Sequence, residues 1–122
     1  MQSMNKEKIM QWILRIAVAG EFMGHGALAL GGKADWVGWV EKLSGFSQPT
    51  ALNIILAIGV VDIILALIVL FRPVRPLLLW MAFWGFFTAI LRPIVGQSVW
   101  DFIERFANWG APLTLFYLLK KE

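Results

Sequence analysis

The sequence predicts an all-α membrane protein, an antiparallel bundle of four transmembrane helices with a short interfacial helix after the first. Three observations carry this. The 122-residue chain is 59% hydrophobic and only 16% charged, with a mean hydropathy of +0.70; an ordinary soluble domain is about one quarter charged and less than half apolar. Seven Trp and nine Phe add to the excess of apolar surface, which a soluble fold of this size has no interior large enough to hide. The apolar residues also gather into four stretches of about 20, the length a helix needs to cross a hydrocarbon layer about 30 Å thick.

The first stretch runs from about Ile9 to Leu30 and stops at Gly31-Gly32. Lys6 and Lys8 ahead of it and Ala27-Leu28-Ala29 within it imitate a cleavable leader, but the stretch is too long for one and carries Arg15, Glu21 and His25, so it is read as a retained helix. The second runs from about Thr50 to Phe71, opened by Pro49 and closed by Arg72-Pro73. The third covers about Pro76 to Val95, with proline in the first turn, where a missing N–H costs nothing. The fourth covers about Ser98 to Leu119, its first half carrying Asp101, Glu104 and Arg105. Between the first two, residues 33–48 form either a short helix lying flat at the membrane interface through Trp36, Val37, Trp39, Val40 and Leu43, or a capped loop. No linker or repeat divides the chain, so residues 1–122 are read as a single transmembrane domain.

Basic residues set the orientation. With the N-terminus inside, Lys6, Lys8, Arg72, Arg75, Lys120 and Lys121 lie on the cytoplasmic side; Lys33, Lys42, Arg92 and Arg105 lie opposite, each near an acid. Both termini are therefore expected on the cytoplasmic side, with the lipid bilayer as the protein's surroundings. The net charge of +3 does not imply nucleic-acid binding, because no basic run exceeds two residues.

Ionisable groups inside a membrane need a partner or a purpose. Glu21 and His25, four apart, share a face of the first helix. Gly20 and Gly24 form a GxxxG pair about 100° around from them, a surface that admits a second helix closely. Gly59, Asp62 and Ala66 share a face of the second helix. With Arg92 and Asn108 these groups are expected to meet in the outer half of the bundle, with Gly20, Gly24, Gly59 and Ala66 as packing contacts. One reading is a ligand and proton pocket of Glu21, His25, Asp62, Arg92 and Asn108, where histidine, titrating near neutrality, exchanges protons beneath the head of a quinone or another lipid-soluble molecule. The other is a structural network in which Arg92 neutralises Glu21 or Asp62. Arg15 either snorkels to the headgroups or pairs with Asp62. Trp80, Phe83, Trp84 and Phe87, at helical spacing, form a stripe that is either packing surface or a wall against a flat ring.

The chain has one histidine and no cysteine, so no metal site and no bis-histidine haem within one chain is expected, and no nucleophile elbow is present. No catalytic residue is assigned and a stand-alone enzyme is not expected.

Leu14-Arg15-Ile16, then Phe22 and His25-Gly26, Val61-Asp62-Ile63, Arg72, and Phe106-Ala107-Asn108-Trp109-Gly110-Ala111-Pro112 together resemble DoxX-like membrane proteins over residues 12–118. Two positions depart from that pattern: the lysine after His-Gly comes late, as Lys33, and Asp62 stands where glutamate is usual. The resemblance implies a four-helix bundle in the cytoplasmic (inner) membrane that serves as a membrane subunit or anchor of a redox, quinone-linked oxidoreductase assembly, with a redox protein as partner. A purely structural subunit, a small-molecule binding or transport subunit, and a homo-oligomer are the alternatives.

Overall fold

The computed structural model describes residues 5–119. Lys120 and Lys121, part of the charge count above, lie outside the described residues. Those described form six helices and no strand: α1 Lys6–Leu30, α2 Ala34–Ser44, α3 Gln48–Phe71, α4 Arg75–Ile94, α5 Val99–Ile103 and α6 Ala107–Leu118. Local chemistry explains the boundaries. The Asn5 side chain accepts from the Lys8 N–H at 2.8 Å, capping α1, and Glu7 complements the positive end of its dipole. Gly32, at φ +68°, turns the chain into α2, and Gly45, at φ +78°, ends α2. Proline stands in the first turn of both α3 and α4.

Helices α1, α3 and α4, of 25, 24 and 20 residues, are long and apolar enough to cross a membrane. Their outer faces carry large apolar side chains in the open, such as Ile16 at 60% and Phe83 at 55% exposure, a surface that suits lipid and not water.

The fourth stretch differs from the expectation of one helix over 98–119. It is broken at residues 104–106 into α5 and α6, and the 12 residues of α6 span only about 18 Å. Arg105 causes part of the break: its Nη1 donates to the Asp101 carbonyl at 2.8 Å and to Glu104 Oε1 at 2.8 Å, so the side chain caps α5 instead of letting the helix continue. Residues 33–48, by contrast, do contain a helix, α2.

Two apolar clusters hold the elements together. Val18, Phe22, Leu65, Val69, Leu78, Met81 and Leu115 join α1, α3, α4 and α6; Ala29, Val37, Ala51 and Ile55 join α1, α2 and α3. Gly59 and Ala66 are buried, as expected of packing positions. Gly20 and Gly24 are not: both are exposed, and a Cβ built on either would meet nothing within 4 Å. Helix α1 turns its Val18–Phe22–Gly26–Ala29 stripe inward, which sends the GxxxG pair outward. The close crossing belongs to Gly26 and Gly59 instead, where a Cβ on either residue would lie 3.0 Å from the other's carbonyl oxygen.

Side chains also tie helix ends together. Arg15 Nε and Nη2 donate to the carbonyls of Val69 and Leu70 at 3.2 and 2.5 Å, and its Cζ lies 3.8 Å over the Trp12 ring. Arg15 therefore does not pair with Asp62; it reaches toward the helix ends at this side of the bundle. It satisfies the last carbonyls of α3, at the negative end of that helix's dipole. Gln11 Nε2 donates to Leu118 O at 3.0 Å and Arg75 Nε to Phe116 O at 3.3 Å. These bonds bring the start of α1, the end of α3, the start of α4 and the end of α6 to one end of the bundle. Replacing Arg15 by methionine, which keeps the stem but removes both bonds, is expected to cost about 2 kcal/mol. Thermal unfolding in mild detergent measures it; an unchanged midpoint would show that the carbonyls do not depend on Arg15.

Candidate functional site

At the other end, α1 to α4 surround a partly open cavity of about 300 Å³. Three ionisable groups from three helices face it: His25 from α1, Asp62 from α3 and Arg92 from the last turn of α4. The rest of its wall is mostly apolar and aromatic, with Trp36 and Trp39 from α2 and Trp84 and Phe87 from α4.

Each polar group is held by its helix yet left with spare capacity. Arg92 is only 6% exposed. Its Nη1 donates to the Thr88 carbonyl at 2.5 Å, and its Cζ lies 4.9 Å from the centre of the Trp39 ring. Its Nε is buried with no hydrogen-bond partner, a cost that buried donors rarely bear without a reason. Asp62 is 4% exposed and makes no hydrogen bond or ion pair among the described residues. His25 packs edge-on against Trp36, ring centres 5.8 Å apart at 84°. The expected neutralisation of Glu21 or Asp62 by Arg92 is not found: the ion pair among the described residues is Arg105–Glu104, on the exposed rim. The guanidinium instead turns along its own helix to Thr88 and under Trp39.

The five expected pocket residues therefore divide. His25, Asp62 and Arg92 come together at the cavity. Glu21 lies half-buried on α1, one turn away, and does not line it. Asn108 lies on α6, where its backbone carbonyl abuts Gly85 of α4. Pro112, four residues on, has no N–H to give that carbonyl. The aromatic stripe also splits. Trp80 stacks on Trp84 at 5.7 Å and Phe83 on Phe87 at 6.1 Å; Trp84 and Phe87 wall the cavity, while Trp80 and Phe83 face outward.

Sequence reasoning did not place the roof residues Trp36 and Trp39 at the site. Their signal is the amphipathic spacing of Trp36, Val37 and Val40, which shows that α2 has an apolar face but not what that face covers. Val37 is buried against α1 and α3, and this anchors α2 as a lid over the cavity. Chemically the arrangement offers a donor without an acceptor, an imidazole, a carboxyl group and flat apolar walls. Among the described residues no group of three His, Cys, Asp or Glu gathers that would hold a metal ion. In comparisons with known proteins, the chain matches no family model, no curated protein and no solved structure.

Proposed function

We propose that the chain is a DoxX-like membrane subunit of a redox assembly, whose cavity between α1 and α4 takes the head ring of a quinone. The observation that carries the reading is the convergence of His25, Asp62 and Arg92 on a space walled by Trp36, Trp39, Trp84 and Phe87. Its volume of about 300 Å³ suits a single substituted ring. In this reading Arg92 Nε–H donates to a ring carbonyl, His25 and Asp62 carry the exchangeable protons, and electrons come from a redox protein partner. Helices α5 and α6 together make the fourth crossing of an antiparallel bundle, and both termini face the cytoplasm across the inner membrane.

Three of the seven Trp line the cavity, which supplies the assay. Adding a short-chain ubiquinone to the detergent-purified protein is expected to quench tryptophan emission saturably. Asp62→Asn and His25→Ala should each weaken that binding about tenfold while helical content is kept. Quenching that rises linearly without saturation, alike in wild type and variants, would reject the quinone reading. The outward Gly20–Gly24 face of α1 favours a second reading, a structural subunit that packs against another membrane helix.

A further inference from the structure

We infer that a second cavity, at the opposite end of the bundle, holds the phosphodiester of an anionic phospholipid. It has a volume of about 980 Å³ and lies among the start of α1, the end of α3 and the start of α4. Four cations line it, Lys8, Arg15, Arg72 and Arg75, and among the described lining residues Glu7 is the one acid.

The cations are not all consumed by the fold. Arg15 spends Nε and Nη2 on the carbonyls of α3. Arg75 spends Nε on Phe116 O and places its Cζ 4.1 Å over the Phe116 ring, which leaves its terminal nitrogens for another acceptor. The side chains of Lys8 and Arg72 make no hydrogen bond or ion pair among the described residues. Fork-shaped guanidinium groups suit the paired oxygens of a phosphodiester.

Depth and lining select a lipid over a soluble phosphate. All three membrane-length helices reach their boundary here, α1 at Lys6, α3 at Phe71 and α4 at Arg75. The cavity therefore lies where acyl chains give way to headgroups. Phe71, Val74 and Leu119 add apolar surface beside the cations, where an acyl chain would run. Basic pockets between helices at this level hold acidic headgroups.

The full chain, purified in mild detergent and mixed with phosphatidylglycerol or with phosphatidylcholine of the same chains, tests this by native mass spectrometry. Phosphatidylglycerol should be retained at least tenfold better. The double variant K8Q/R72Q, which removes no side-chain bond among the described residues, should lose that preference, at about fivefold per cation; K8R/R72K should keep it. Equal retention of the two lipids, or a preference that survives K8Q/R72Q, would overturn the assignment. Displacement of phosphatidylglycerol by a few millimolar inorganic phosphate would also overturn it, in favour of a soluble anion. The site lies at the far end from the quinone cavity, so neither result bears on the other.

Discussion

Gly85→Ala is expected to destabilise the protein by about 3 kcal/mol, although it adds a single methyl group. That methyl would be driven into the backbone carbonyl of Asn108, with the carbonyl carbon at 2.7 Å and the Trp109 nitrogen at 3.2 Å. These neighbours are main-chain atoms of α6, not the movable tip of a side chain, so the two helices must separate. Overpacking a well-fitted interior costs about 1–3 kcal/mol and more where the backbone has to shift. Separation would also disturb the edge-on contacts that Phe86 makes with Phe102 at 5.8 Å and with Trp109 at 6.3 Å. Gly20→Ala is the control: its methyl meets nothing within 4 Å, and no loss is expected. The measurement is the unfolding midpoint of both variants in mild detergent. Should Gly85→Ala unfold with the wild type, α6 does not lie against α4 as described.

How much of the fold and the cavity is legible in the sequence depends on the range of the interaction. Hydropathy is a local property, and the three long helices come from it to within a few residues. The shared face of Asp62 and Ala66 on α3 also comes from spacing alone. The Gly26–Gly59 crossing does not, because the partners are 33 residues apart and neither belongs to a GxxxG pair. The pair that spacing does reveal, Gly20 and Gly24, identifies a face able to pack closely but not whether this chain packs there. The break at residues 104–106 turns on where the Arg105 side chain goes, and the hydropathy of Ser98 to Leu119 as a block carries no trace of that. At the cavity, the inward groups His25, Asp62 and Arg92 are recognisable because charge inside an apolar helix must be turned away from lipid. Glu21 satisfies the same rule and still falls outside, since α1 is rotated to put Phe22 and Gly26 on α3. Spacing alone makes Trp36 and Trp39 interface anchors; their place over the cavity depends on Val37 docking against α1 and α3.

Arg92→Met is expected to unfold no earlier than the wild type and, on the quinone proposal, to lose saturable ubiquinone binding. The side chain is ionised, 6% exposed and unpaired with any acid among the described residues. A buried, unpaired charge is costly even near a helix end, though less than the about 2.5–3.5 kcal/mol it costs at the bilayer centre, and its attraction to the Trp39 ring offsets about 1–2 kcal/mol. The bond to the Thr88 carbonyl adds little, because that carbonyl already has the Arg92 backbone N–H as a helical donor. Methionine fills the space of the arginine stem and leaves no donor unsatisfied. A structural arginine would behave in the opposite way: its loss would lower the unfolding midpoint and leave binding intact, and that pair of results would remove Arg92 from the site. The two measurements, unfolding midpoint and ubiquinone titration, are therefore made on the same preparation. No fall in the first with a loss of the second is the expected outcome when the missing acceptor for Arg92 Nε is one that the ligand brings.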